Sequence, residues 1–525
     1  MQRTAGQGTT GQGSAPPPSS GDRGALVPAL ADNLKRIRKQ LGASGDIVIR
    51  EITLGSPQPI RAAVLYTDGL ADKQIIHESI LPSLMTVSAP HSAEPMLPET
   101  GAALLARIQD TVLQVGELKA VPDLAGVLRE MLSGNTVVLV DGVQSALSVG
   151  TPGWKDRAIS EPAVQNVIRG PRESFTETLR TNTALVRRRI RDERLRCEQR
   201  AIGSVTHTEI AIMYVDGLAD PSVLQEIDER LGRIRTDAIL EGGYIEEFIQ
   251  DKTLTPFPTL FNSERPDVIA AGLLEGRVAI LIDGTPFVLL VPALFNQFFQ
   301  SAEDYYQRAD IAIFLRILRY LSFFIALLGP SLYIAVTTFH QDLLPTQLLI
   351  SLASQREGIP FPAFVEAMMM EIAFEILREA GIRMPKAIGQ AVSIVGALVI
   401  GQAAVEAGIV SAAMVIVVSL TAISNFVFPS FNMAISVRIL RFGMMLLAAT
   451  FGFFGVTIGL LALVIHLCSL RSFGVPYMAP FGPYNTQDQE DAIFRLPHRM
   501  LNKRPQMVNT SDAVRDRTPD WEPEN

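Results

Sequence analysis

Hydrophobic and polar residues follow two different rhythms in the two halves of the chain. From about Asp32, NLKRIRKQL has helical spacing, whereas DIVIREI and AAVLYTD alternate as β-strands, the second ending at Asp68-Gly69. ADKQIIHESILPSLM returns to a helical pattern, and TVVLVDG is a short apolar strand stopping at Asp141-Gly142. The order then recurs. IAIMYVDGLAD (Ile210–Asp220) matches VLYTDGLAD (Val64–Asp72), and VAILIDG (Val278–Gly284) matches VVLVDG. Two matched strand-turn pairs predict two related α/β subdomains, roughly 40–150 and 200–295. Each Asp-Gly reads as a turn, since both residues tolerate the dihedrals of a chain reversal.

Beyond residue 305 the apolar runs lengthen. Ile311–Phe339, Ala387–Val410, Ser411–Phe431 and Phe442–Leu470 are each of a length that crosses a bilayer. Arg308, Arg316 and Arg319 at the first entry place that side in the cytoplasm, and Pro330 predicts a kink. Pro345–Gly381 differs, with Arg356, Glu357, Glu366, Glu371, Glu375, Arg378 and Glu379 in an otherwise apolar run. It reads as an interfacial helix, a re-entrant element, or a helix lining water inside an oligomer. Four, five or six spans therefore stay open. Glu371, Glu375 and Arg378 fall on one helical stripe, and Gln402, Glu406 and Asn425 lie inside the following apolar segments. Such groups suit an ion path, where carboxylates offset the dehydration of a cation. The plainer readings are a Glu375–Arg378 bridge one helical turn apart and hydrogen bonds between helices.

Composition narrows this picture. Net charge is −8, and the two cysteines, Cys197 and Cys468, make neither a disulfide framework nor a zinc site. No GxGxxG, phosphate loop, Ser-His-Asp spacing or metal-ligand histidine spacing occurs, so no enzyme, cofactor or metal is expected. The expected organisation is a disordered tail (1–31), a first α/β subdomain (32–166), a basic helical connector (167–199), a second α/β subdomain (200–300), a multispanning helical membrane domain (305–475) and a C-terminal cytoplasmic tail (476–525). The N-terminal residues carry no secretory signal, which predicts a cytoplasmic soluble half. In the connector, Arg187, Arg188, Arg189 and Arg191 suggest contact with another subunit or with membrane lipids. Interspersed Asp192, Glu193 and Glu198 argue against nucleic acid.

IRGPRESFTETLRTN, REAGIRMP, IGQAVSIVGALVIGQAAVEAGIV and SFGVPYMAPF ahead of LPHRMLNKRP together resemble the A subunit of GerA-type spore germination receptors, over about residues 32–508. The resemblance implies a nutrient-receptor subunit in the spore inner membrane. Its partners would be a transporter-like B subunit and a lipoprotein C subunit, with a homo-oligomer forming or gating a cation path. The stage V sporulation protein SpoVAF shares much of the pattern, which leaves a second assignment open.

Overall fold

Strands form where the alternation predicts them. The computed structural model describes residues 24–54, 59–86, 105–106, 108–109, 117–153, 161–384, 401–508 and 512–515. It divides into two units, Met1–Lys155 with Ile190–Cys197, and Asp156–Arg189 with Glu198–Asn525.

In the first unit, β1 (Ile47–Leu54), β2 (Ile60–Thr67), β3 (Leu118–Val121), β4 (Thr136–Val140) and β5 (Ala146–Val149) make a sheet ordered β1-β2-β4-β5-β3. Every pairing is antiparallel, with Ala63 opposite Leu139 and Val64 opposite Val138. Successive side chains of β2 point to opposite faces, and both faces are covered. Ala63 and Leu65 pack under α1 (Leu30–Leu41) and α2 (Leu124–Leu132), while Ala62, Val64 and Tyr66 meet Ile76, Ile80 and Leu84 on the other side. Each fully buried aliphatic side chain contributes roughly 1.5–3 kcal/mol.

The second sheet repeats the plan. β6 (Leu195–Ile202), β7 (Thr208–Val215), β8 (Phe261–Ser263), β9 (Val278–Ile282) and β10 (Val288–Val291) are ordered β6-β7-β9-β10-β8. The repeat extends to side chains. Asp141 accepts the first amide of α1 (Leu30, 2.8 Å), and Asp283 accepts that of α3 (Leu179–Arg189; Leu179, 2.9 Å). Asn33 closes a loop on Val27 as Asn182 does on Thr176. Each Asp-Gly is indeed a turn, with Gly69, Gly142, Gly217 and Gly284 at positive φ (84°, 84°, 79° and 88°). The stretch 167–199, read as a connector, thus contains the first helix of the second repeat. Both helices carry basic residues in the last turn, and the kinship rests on Leu30 and Asn33 of α1 matching Leu179 and Asn182. The second repeat is completed by α4 (Pro221–Arg233), α5 (Gly242–Ile249) and α6 (Pro266–Leu274).

The apolar half of this unit begins with α7 (Ala309–Thr338), continues through α8 (Thr346–Arg356), α9 (Ala363–Arg383) and α10 (Ala412–Asn425), and ends with α11 (Phe431–Ser469). Among the described residues, α7 and α11 are long and apolar enough to cross a membrane. The predicted span Ala387–Val410 falls, over 387–400, outside the described residues. α11 is really two arms, because Gly452 leaves helical geometry (φ 60°, ψ −139°). Both arm ends reach one short segment: Pro256 accepts the Ser436 hydroxyl, and Thr255 meets His466 at 2.9 Å. The tip at Gly452 faces Phe339 and His340, just past the end of α7. α11 is therefore a hairpin lying along α7. Its arms approach so closely that a Cβ on Gly455 would sit 2.2 Å from the Leu447 carbonyl oxygen.

The chain after α11 folds back on the second repeat. Ser472 donates to Thr259 and accepts from Ala293, Tyr477 accepts from Phe295, and Phe473 joins the core of the second sheet.

Candidate functional site

The helix α9 carries the predicted charges, and every one of its three candidate carboxylates meets an arginine. Glu366 and Glu371 are fully buried. Glu366 accepts the backbone amide of Ser411 at 3.0 Å, just before α10, with Arg356 3.4 Å away. Glu371 pairs with Arg441 of α11 at 2.6 Å, both side chains 1 % exposed. Glu375 binds Arg438 at 3.1 Å and also its own neighbour Arg378. The predicted one-turn bridge is thus present, and Arg438 is added to it.

Arg441 does a second task. Pro330 lies inside α7 and has no N–H, which frees the carbonyl four residues earlier. That carbonyl belongs to Ala326, and it accepts the Arg441 Nε at 2.6 Å. One guanidinium therefore joins α7, α9 and α11 at a single point. α7 stays continuous through Pro330 from Ala309 to Thr338. Close by, Gly329 lets α10 approach, since a Cβ there would lie 3.0 Å from the Thr421 hydroxyl.

The remaining sequence candidates scatter. Gln402 and Glu406 hydrogen-bond to each other at 2.8 Å on an exposed surface. Asn425 is buried at the end of α10. Arg188 and Arg189 pair with Glu173 at 3.7 and 2.8 Å, Arg187 is buried and Arg191 is exposed.

Sequence reasoning missed a second charged cluster where α7 begins. Asp304, fully buried, accepts from Arg316 at 2.9 Å and Arg319 at 2.8 Å. Arg316 also binds Asp491 at 2.8 Å, and the Tyr305 hydroxyl donates to that same carboxylate at 2.7 Å. Burial, then the negative charge of Asp491, raises the Tyr305 pKa well above its ordinary range. Read from sequence, Arg316 and Arg319 mark a cytoplasmic edge. Here they are internal, tying the returning C-terminal segment to the first apolar helix. The signal available was their spacing, which places both on the side of α7 that faces Asp304.

Carboxylates each held by arginine inside an apolar bundle can bias helix positions or meet a hydrated cation. Comparison with known proteins gives the family. Residues 35–507 match the family described as Bacillus/Clostridium GerA spore germination protein. The chain is 50% identical to spore germination protein KA of Bacillus subtilis, covering 93% of this chain and 88% of that protein. It is 46% identical to the uncharacterized membrane protein YfkQ of Bacillus subtilis over 91% of each. With spore germination protein GerLA of Bacillus cereus it shares 39% identity, over 92% of this chain and 96% of that one. A crystal structure of the N-terminal domain of the A subunit of the Bacillus megaterium spore germinant receptor GerK3 aligns at 37% identity and a TM-score of 0.40, covering 52% of this chain and 98% of that one. The chain belongs to the GerA family of spore germination proteins.

Proposed function

We propose that this chain is the A subunit of a nutrient receptor in the spore inner membrane, and that it forms or gates a cation path as a homo-oligomer. The carrying observation is three carboxylates on one helix within an apolar bundle, Glu371 and Glu375 on one face toward α11 and Glu366 on the other toward Ser411 and Arg356. Glu371 and Glu375 each keep one buried carboxylate oxygen without a hydrogen-bond partner, while that of Glu366 has only the Arg356 guanidinium at 3.4 Å. Such oxygens are costly unless water or a cation uses them. Four arginines more than offset the three carboxylates at rest, and their release when nutrient binds would open the path. Transporter-like B and lipoprotein C subunits are the expected partners. α8, which buries none of its residues and exposes Leu348 and Ile350, supports a neighbour on that side.

An even number of crossings fits this reading, because the segment after α11 returns to the second α/β repeat. Six is the count we favour. α9 has 21 residues, about 31 Å of helix, and its contacts with Ser411 through Glu366 and with Arg438 through Glu375 support counting it as a crossing.

A SpoVAF-like or scaffold role is the second reading, favoured by the same arginines, which leave no net negative charge on these carboxylates. Reconstitution of the chain with its partner subunits in liposomes separates the two. Nutrient-dependent cation flux supports the channel. Its absence from every assembled combination supports the scaffold.

A further inference from the structure

Three separate segments of the second unit place exposed apolar side chains at the level where the apolar helices begin. Leu254 is 94% exposed, one residue from Thr255, which holds His466, and two from Lys252, which reaches Ser469 at 3.3 Å. Ile168 is 88% exposed, and its amide and that of Arg169 are fixed by the Glu303 carboxylate, next to the Asp304 that binds Arg316 and Arg319. Phe494 is 56% exposed between Ala492, whose carbonyl accepts from Arg316, and Arg495, which donates to Gln307. Scattered exposed apolar residues need no explanation. These three come from unrelated stretches of chain, and each lies beside residues bonded to the segments that begin α7 or end α11. Exposed cations lie next to them in sequence or at the start of α7: Arg169, Lys252, and Arg308, which also pairs with the exposed Asp310 at 3.0 Å.

We propose that these side chains form a collar that dips into the headgroup layer of an anionic bilayer, with Ile168, Leu254 and Phe494 as its apolar contacts. Apolar tips flanked by Lys and Arg suit that boundary, where the tips leave water and the cations meet lipid phosphates. The collar would hold the second α/β repeat at a fixed height above the helices. This rests on the reading of α7 and α11 as membrane-spanning.

The test uses the full chain in vesicles containing anionic phospholipid, in a Cys468→Ser background; Cys197 is buried. Single variants Ile168→Cys, Leu254→Cys and Phe494→Cys carry an environment-sensitive fluorophore. Two controls bracket them. Phe454→Cys lies on the second arm of α11, 67% exposed. Val205→Cys lies on the β6–β7 turn, 73% exposed. That turn is at the far end of the sheet, since the opposite end of β10 leads to Phe295 and the helices. Quenching by headgroup-attached nitroxide at the three collar positions should exceed that at Val205 by at least about twofold, as expected for side chains at an interface. Collar quenching no greater than at Val205, while acyl-chain nitroxide still quenches Phe454, overturns the collar alone. An unquenched Phe454 overturns the membrane reading and the collar with it.

Discussion

Arg441 shows how much one side chain can hold together. Its partner Glu371 is buried with it, so removing either leaves an uncompensated charge. Glu371→Gln should cost about 3–5 kcal/mol, read as thermal unfolding in detergent, whereas Glu371→Met with Arg441→Met should cost clearly less. Pro330 adds a finer test. Replacing it by Ala ordinarily relieves about 3 kcal/mol in a helix interior. The gain should be smaller here, because Arg441 already satisfies Ala326, and should grow once Arg441 is Met. Glu246 on α5 is a different case. Burial, opposed by a hydrogen bond from Asn262 and reinforced by Glu241, lifts its pKa from 4.5 to about 7. Between those values the folded state binds a proton that the unfolded state has released. Stability should therefore fall as pH rises from 4.5 and level off above about 7, by at most about 3 kcal/mol. Hydrogen exchange of α5 amides across that range should show the slope, and Glu246→Gln should remove it. The carboxylates of α9 were legible as anomalies in an apolar run. Apart from Arg378, their partners were not, because Arg356, Arg438 and Arg441 lie on other helices and spacing along one helix cannot find them.

Among the elements, the two sheets were readable because strand alternation and the repeated Asp-Gly turns point the same way. The helix α3 was readable as a basic helix but not as the twin of α1, since the two share little beyond the opening leucine and the asparagine three residues later, Leu30 and Asn33 against Leu179 and Asn182. The hairpin in α11 escaped for another reason. Glycine is frequent in apolar helices, and nothing in GFFGVTIG distinguishes a break at Gly452 from close helix packing. Its neighbours now carry a graded prediction. Gly455→Ala would drive a methyl into the Leu447 backbone, whereas Gly459→Ala meets Met444 Sδ at 2.7 Å and the Leu447 side-chain tip, which can move. The first should lower thermal stability by about 3 kcal/mol and the second by less than about 1 kcal/mol.

At the scale of the whole molecule, the soluble repeat, the apolar bundle and the returning C-terminal segment meet in the Asp304–Arg316–Asp491 cluster. The sequence pattern separates the halves clearly, but the closure of the tail onto Arg316 depends on residues 175 positions apart and no local pattern reveals it. Such a closure links the returning C-terminal segment of the second unit directly to α7, whose Ala326 carbonyl in turn holds Arg441 beside Glu371. Participation of Glu371 and Glu375 in ion movement is the most direct consequence of the proposed function. Spores carrying Glu375→Gln, or Glu371→Met with Arg441→Met so that no charge is stranded, should release cations more slowly after nutrient is added, with receptor levels unchanged. Release at the normal rate from both variants would contradict it.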